Sequence, residues 1–263
     1  MISFVSRNAK QLLSGGYANP GTRIAFVHVP KCGGSSLTVA LKTAIGFHVQ
    51  IPGRSSAALA HEAASRTAEI LDRDYNRLCA DLLIYYLADR RLRFIAGHWP
   101  VRDAAFEEFS EEWDFVLLLR HPVRRWLSNY FFNRYKTSDH YRIDRELDEF
   151  LNTSRARWYG CAYAAYLAPD DFAYGDDPAE APLDKALANL QRFRIVGTLE
   201  HLDSLAESFR SNYGARLNIP HANLNPRGKA YARRDVTPEQ MERIELLCQP
   251  DMRIYREALG LGR

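Results

Sequence analysis

The feature that most constrains this chain is an apolar segment that runs directly into a lysine, two glycines and two serines, Phe26 to Leu37 (FVHVPKCGGSSL). Residues 23–29 have the β-branched and aromatic content of a buried strand. The apolar residues that follow recur at the spacing of one helix face: Leu37, Ala40, Leu41 and Ala44. The glycine turn is therefore predicted to lie at a helix N-terminus, where free N–H groups and the helix dipole favour an anion. Lys31 adds a positive charge to this phosphate cradle.

Further strand–helix units follow along the chain. Phe94–His98 and Phe115–Leu119 are short apolar runs predicted as buried strands, and Pro122 suits the first position of the next helix. A fourth strand is predicted at 193–197 and a helix after it, whereas 55–93 has the periodicity of one or two helices. Strands that alternate with helices predict an α/β fold with a parallel sheet and ligands beyond the carboxyl ends of its strands.

The amino-acid composition and net charge exclude several classes of protein. The 263 residues are 46% hydrophobic and 25% charged, which is typical of a globular protein, and we expect one domain over 1–263 with 1–22 as an N-terminal extension. A net charge of +3 is too small to indicate general nucleic-acid binding. No segment has the pattern of a signal peptide or a transmembrane span. The four cysteines are widely spaced, so we expect reduced thiols, a cytoplasmic location and no metal site.

The order of residues in the cradle separates it from the commonest nucleotide-triphosphate loop, in which the lysine follows the glycines. Here Lys31 precedes Gly33 and Gly34. The order Pro-Lys-x-Gly-Gly-Ser-Ser after a strand resembles the 5′-phosphosulfate loop of sulfotransferases that use 3′-phosphoadenosine 5′-phosphosulfate (PAPS). That family normally has a hydroxyl or small residue where this chain has Cys32. The resemblance implies these cofactor-binding residues: Lys31, Cys32, Gly33, Gly34, Ser35 and Ser36.

A second motif points to the same family. Residues 119–130 (LRHPVRRWLSNY) resemble its 3′-phosphate motif, Arg-x-Pro-x-x-Arg-x-x-Ser-x-Tyr. The resemblance implies that Arg120 and Ser128 hold the 3′-phosphate, and a guanidinium at a strand end can converge with a hydroxyl on the next helix. The first motif alone would equally fit an ordinary strand–turn–helix. Both motifs in order indicate a PAPS-dependent sulfotransferase with a P-loop-like, three-layer α/β/α fold.

Two further sequence elements predict a catalytic base and additional cofactor contacts. Gly97-His98 resembles the pair that supplies the catalytic base in carbohydrate sulfotransferases of the 2-O-sulfating type, and the alternative is a buried structural histidine. A basic loop near residues 225–234 falls where related enzymes cover the nucleotide. Its cations Arg227, Lys229 and Arg233 are candidate cofactor contacts, with a solvated surface as the alternative.

The predicted reaction is transfer of the sulfuryl group from PAPS to an acceptor hydroxyl, with a carbohydrate as first choice. His98 would take the acceptor proton and Lys31 would stabilise the leaving phosphate, without a metal. One alternative is a P-loop kinase-like phosphotransferase, but the chain lacks the required lysine after the glycines. Another is a nucleotide-binding protein without catalysis. The absence of an anchor segment is more typical of a soluble bacterial enzyme than of a Golgi enzyme.

Overall fold

A five-stranded, all-parallel sheet forms the centre of the computed structural model, which describes residues 21–46, 55–138, 141–173, 181–219 and 236–262. Its strands lie in the order β2-β3-β1-β4-β5. Their bounds are β1 (Ile24–His28), β2 (Ser55–Ala58), β3 (Leu92–Gly97), β4 (Asp114–Leu119) and β5 (Ile195–Thr198). Ile24 of the central strand pairs with Phe94 on one side and Asp114 on the other. The carboxyl ends of β1, β3 and β4 therefore meet at one edge of the sheet.

Helices cover both faces of this sheet. Within the described ranges they are α1 (Gly34–Ala44), α2 (His61–Ile70), α3 (Tyr75–Ala88), α4 (Asp103–Phe109), α5 (Pro122–Tyr135), α6 (Leu147–Leu151), α7 (Ser154–Gly160), α8 (Ala162–Leu167), α9 (Leu183–Leu190), α10 (Leu202–Tyr213), α11 (Pro238–Leu247) and α12 (Gln249–Leu261). A short 3-10 helix, Leu199–His201, joins β5 to α10. No helix in these ranges combines the length and the apolar character needed to cross a membrane.

The alternation of side chains along β1 divides the core into two layers. Ala25 and Val27 pack on one face against residues of α3, α4, α8, α9 and α12. Ile24 and Phe26 pack on the other face against α1 and α10. A parallel sheet buried on both faces explains why its central strands read as nearly continuous apolar runs. The predicted α/β fold with three layers is confirmed.

Several elements were not predicted from the sequence. The edge strand β2 was not expected, because Ser55–Ala58 has no β-branched or aromatic residue. The described residues 141–173 contain three short helices, α6 to α8, which the sequence did not predict because their 5 to 7 residues are too few to show a helical period. A capping box at Thr237 opens α11, and α12 follows directly after it. Most of the expected N-terminal extension and the whole basic loop near residues 225–234 lie outside the described residues.

Candidate active site

The cradle is a tight turn between β1 and α1. Lys31 and Gly33 both have left-handed backbone conformations, with φ of 73° and 85°, and the Cys32 N–H donates to the Val29 carbonyl at 3.2 Å. Gly33 precedes α1 as its N-cap residue and supplies no side-chain cap, and the first turn of α1 holds no acidic residue. The N–H groups at this helix start therefore face a region without a competing negative charge from its own first turn.

Gly34 is required by a close approach rather than by an unusual φ. A Cβ at this position would lie 1.9 Å from Cδ2 of His28 and 2.3 Å from its Nε2. Any larger residue would therefore push α1 away from the end of β1. The hydroxyl residues that follow differ in accessibility, since Ser35 is exposed and Ser36 is half-buried.

Cys32 has a different environment from the rest of the cradle. Its side chain is fully buried, and Sγ lies 3.7 Å from the hydroxyl oxygen of Tyr163. Burial raises the pKa of the Cys32 thiol to about 12, so it stays protonated. Cys32 packs beneath the cradle, and we do not count its side chain among the groups that would touch a phosphate.

Lys31 connects the cradle to the second motif. Its carbonyl oxygen accepts a hydrogen bond from Nη1 of Arg120 at 3.1 Å. Its ammonium lies 3.7 Å from the centre of the Phe132 ring, and that ring is 50% exposed. Burial and the neighbouring Arg120 lower the pKa of Lys31 to about 8. A compact cationic site results at the carboxyl ends of β1 and β4.

Tyr163 fixes the backbone of Arg120 at the end of β4. The Arg120 N–H donates to the Tyr163 hydroxyl oxygen at 3.0 Å, and that hydroxyl donates to the Arg120 carbonyl. Tyr163 is itself fully buried, so this anchor lies in the core. The guanidinium of Arg120 is thereby held toward Lys31, while Ser128 is half-buried on α5.

The start of α5 carries a carboxylate contact that the sequence did not indicate. The backbone N–H of His121 donates to the Glu200 carboxylate, and both carboxylate oxygens lie 3.1 Å from this nitrogen. Glu200 also accepts a hydrogen bond from the Tyr255 hydroxyl at 3.0 Å. Arg124 is 60% exposed, with its nearest guanidinium nitrogen 3.9 Å from Glu200. Glu200 therefore holds the backbone of the turn that carries Arg120.

Arg125, which also matches the second motif, lies in the core rather than at the site. Its side chain is 1% exposed, donates to the Tyr159 carbonyl and lies 3.7 Å from the carboxylate of Asp251. Asp251 is fully buried and accepts from the Tyr163 N–H at 2.9 Å. Burial raises the pKa of Asp251, and Arg125 opposes that rise. This pair ties α5 to α7, α8 and α12 beneath the site.

His98 stands at the end of β3 with one ring nitrogen engaged. Its Nδ1 lies 2.8 Å from the carbonyl oxygen of His28. A carbonyl can only accept, so Nδ1 carries the hydrogen and Nε2 keeps a lone pair. Burial lowers the pKa of His98 to about 4, and the nearby His61 and Lys31 add to this effect. The neutral ring at pH 7 can accept a proton at Nε2.

His28 is a second histidine close to His98, but its surroundings differ. Its ring centre lies 4.4 Å from that of His98 and 4.9 Å from that of Phe26. Its Nδ1 has no hydrogen-bond partner in the part of the chain that the structure describes, and burial lowers its pKa well below 6.5. Because the ring packs directly under Gly34, it fills the junction of β1 and α1.

Sequence reasoning did not identify His61, Phe132 or Tyr163 as neighbours of the site. Phe132 had a weak signal, since it follows Ser128 by one helical turn, whereas His61 and Tyr163 reach the site from remote segments. Within the described ranges, no group of three or more histidine, cysteine, aspartate or glutamate side chains is arranged to hold a metal ion. Arg227, Lys229 and Arg233 lie outside the described residues.

Comparison with known proteins agrees with this arrangement. The model of the family described as "Sulfotransferase family" matches residues 17–256, a range that contains the cradle, His98 and the second motif. A search of curated proteins found no match. Members of such a family transfer sulfuryl groups to an acceptor, generally from PAPS. Since the match covers most of the 263 residues, the chain belongs to the sulfotransferase family.

Proposed function

We propose that this protein transfers the sulfuryl group of PAPS to a hydroxyl group of a carbohydrate. The observation that carries the proposal is the hydrogen bond between the Arg120 guanidinium and the Lys31 carbonyl, which joins the two sequence motifs in one cationic site. A nucleotide with two anionic groups needs two cationic side chains that lie close together, one for each group. The family match supports sulfuryl transfer as the general reaction.

The residues present suit a substrate with separate 5′ and 3′ anionic groups. We assign the 5′-phosphosulfate to the cradle, where Lys31, the Gly33–Ser36 backbone and the two serine hydroxyls would bind it. Arg120 and Ser128 would bind the 3′-phosphate. The first turn of α1 has no acidic residue, which supports anion binding at its N-terminus. We also propose nucleotide contacts from the basic loop outside the described residues: Arg227, Lys229 and Arg233.

In the proposed reaction the acceptor oxygen forms a bond to sulfur while the bond between sulfur and the 5′-phosphate oxygen breaks. His98 takes the acceptor proton at Nε2, and the His28 carbonyl holds the opposite N–H. The leaving phosphate oxygen receives the electron pair, and Lys31 neutralises the charge that grows on it. The products are a sulfate ester and 3′,5′-bisphosphoadenosine.

A carbohydrate acceptor is supported by two features. A sugar hydroxyl is weakly acidic and needs a positioned base, which His98 supplies. The exposed ring of Phe132 lies beside Lys31 and offers an apolar face on which a sugar can stack. The aromatic side chains of residues 159–172 are not available for stacking, since Tyr159, Tyr163, Tyr166 and Phe172 are buried. We also propose a cytoplasmic setting, which the four free cysteines support.

The first experiment tests the donor. We expect 3′,5′-bisphosphoadenosine to raise the melting temperature of the protein and ATP to leave it nearly unchanged, because a ligand that binds only the native state stabilises it. A rise with ATP alone would overturn the PAPS assignment. Binding of the bisphosphate without transfer from radiolabelled PAPS to any acceptor would instead favour a nucleotide-binding protein without catalysis.

The second experiment tests the acceptor and the two catalytic groups. A panel of methyl glycosides, oligosaccharides, a tyrosine peptide and a phenol is offered with radiolabelled PAPS, and transfer to the sugars is expected. Lys31→Ala and His98→Ala should each lower turnover about a hundredfold while circular dichroism stays native. Near-normal turnover in folded His98→Ala would exclude it as the base.

A further inference from the structure

A third histidine lies beside the proposed base. His61 is the first residue of α2, just beyond the edge strand β2, and it is exposed. Its ring centre lies 5.1 Å from that of His98, with 36° between the ring planes. His98 therefore has two imidazole neighbours, half-buried His28 and exposed His61. An exposed ring adds little to a core, so packing alone does not account for its position.

Tyr75 fixes the orientation of His61. The Tyr75 hydroxyl oxygen lies 2.7 Å from Nδ1 of His61, and Tyr75 begins α3. Burial raises the pKa of Tyr75, so its hydroxyl stays protonated and can donate to that nitrogen. We assign the tautomer in which the Tyr75 hydroxyl donates to Nδ1, so that Nε2 of His61 carries a hydrogen and is a donor, whereas Nε2 of His98 is an acceptor. The two neighbouring rings have opposite hydrogen-bonding character.

The strand order separates two halves of the site. Arg120 follows β4, on one side of the central strand β1 and its cradle. His98 follows β3 on the other side, and His61 lies beyond β2 at that edge of the sheet. If the nucleotide occupies the half between β1 and β4, the acceptor reaches His98 from the β2 edge, where it meets His61 first.

We propose that His61, oriented by Tyr75, binds the acceptor: it donates a hydrogen bond to the hydroxyl next to the one that His98 deprotonates. The acceptor class is a sugar with two neighbouring hydroxyls, one of which becomes the sulfate ester. His61 is thus a specificity residue for the transfer, and this inference rests on the proposed function.

The central experiment uses variants that keep ring size and remove one polar group. His61→Phe removes the nitrogens, and Tyr75→Phe removes the hydroxyl that orients them. Tyr85→Phe is the matched control, since Tyr85 lies on the same helix, is 69% exposed and contacts Tyr86. Each variant is assayed with the methyl glycoside that the wild type sulfates fastest and with the analogue that lacks the neighbouring hydroxyl.

We expect the wild type to prefer the parent glycoside over its deoxy analogue by about tenfold, as one hydrogen bond allows. In His61→Phe this preference disappears and KM for the parent rises about tenfold, while the Kd for 3′,5′-bisphosphoadenosine stays unchanged. Tyr75→Phe shows a smaller change in the same direction, and Tyr85→Phe shows none. If His61→Phe does not fold, His61→Leu, which also lacks a donor, replaces it with the same expectation for the preference.

The pH dependence of kcat/KM distinguishes acceptor binding by His61 from a purely structural role of this residue. Among the described residues, the charged or titratable groups that face His98 are His28 on β1, Lys31 in the cradle and His61 on α2. Loss of His61 removes one positive neighbour, so the acid limb of kcat/KM moves to higher pH in His61→Phe. A variant that only loosened the fold would lower the melting temperature without this displacement.

The outcomes distinguish this inference from the proposed function. Wild-type protein that fails to bind the bisphosphate, or transfers to no glycoside, overturns the proposed function and the role of His61 with it. Wild-type protein that transfers but does not discriminate against the deoxy analogue overturns the role of His61 alone. Folded His61→Phe that keeps the wild-type preference and KM would also overturn the role of His61 alone.

Discussion

The Arg120 guanidinium donates a hydrogen bond to the carbonyl oxygen of Lys31, with Nη1 and the oxygen 3.1 Å apart. The two residues are 89 positions apart in the sequence. Lys31 has a left-handed backbone, with φ of 73°, which is unfavourable for a residue with a Cβ. The contact from Arg120 stabilises this conformation, so the residue assigned to the 3′-phosphate also shapes the loop assigned to the 5′ end.

Replacement of Arg120 should therefore weaken nucleotide binding strongly. We expect Arg120→Ala to raise the Kd for 3′,5′-bisphosphoadenosine about tenfold to a hundredfold, since a charge-assisted hydrogen bond contributes ~1.5–3 kcal/mol. Isothermal titration calorimetry measures this change. Arg124→Ala is the control, because Arg124 lies on the adjoining turn with 60% exposure and should change the Kd little. Equal effects of the two substitutions would contradict the assignment of Arg120.

The pH dependence of kcat/KM should have two limbs. Lys31 must be protonated, and because its pKa is lowered to about 8 in the free protein, kcat/KM falls as pH rises through 8. His98 must be neutral, and with its pKa lowered to about 4, kcat/KM falls as pH drops through 4.

Initial rates across this range, with circular dichroism at each pH, measure the profile. Lys31→Arg keeps the charge at high pH and should lose the basic limb even if its rate is low. A basic limb that persists unchanged in this variant would show that another group causes it.

The contact between Gly34 and His28 predicts a steric effect on stability. A Cβ at Gly34 would lie 1.9 Å from the His28 ring, so Gly34→Ala should lower the free energy of unfolding by ~1–3 kcal/mol. Urea denaturation measures it. Gly260→Ala is the matched control, since nothing lies within 4 Å of its added Cβ within α12, and it should not destabilise.

A double variant identifies the cause of this effect. His28→Ala removes the ring that the new methyl group would meet, so Gly34→Ala should cost less in that background. If the cost is the same with and without the His28 ring, the clash is not the reason for Gly34.

The buried pair of Arg125 and Asp251 predicts a large loss when one partner is removed. We expect Arg125→Met to lower the free energy of unfolding by ~3–5 kcal/mol, because it leaves a buried carboxylate without its counter-charge. The double variant with Asp251→Asn should recover part of this loss. Arg210→Met, at an exposed pair with Glu207, should have little effect. A small loss in Arg125→Met would mean that the pair does not hold α5.

The thiols should be unreactive in the native protein. All four cysteines are buried, and burial raises the pKa of Cys32 to about 12, so its thiolate is scarce at neutral pH. A thiol reagent should label none of them in native protein and all four in denaturant. Rapid native labelling of Cys32 would show that the cradle opens to solvent.

Local signals predicted much of the fold and part of the candidate site. The strands β1, β3 and β4 are apolar runs, and the cradle follows the first of them, so each could be predicted from adjacent residues. The helix after Pro122 was also predictable, since its apolar stripe faces the core. Parallel pairing then implied that Lys31, His98 and Arg120 share one edge of the sheet.

Features that depend on long-range contacts were not predictable. His61 and His98 are 37 positions apart, and their proximity depends on β2, a strand of serine and alanine that pairs only because β3 offers an edge. Tyr163 reaches Arg120 from a short helix with no period of its own. Arg125 matched a motif, but its partner Asp251 lies on the last helix, so nothing local indicated that it is buried.

The position of β2 at the margin of the sheet has a consequence for engineering. Residues 55–88 contain β2, α2 and α3. Among the described strands β2 pairs with β3 alone, whereas α3 also packs against Ala25 and Val27 of the central strand. The proposed donor site lies in the middle of the sheet and the proposed acceptor wall at its rim, and α3 packs between them on the core side. Grafting a different β2–α2 segment with α3 retained is therefore a route to changing the proposed acceptor preference while the centre of the sheet is preserved.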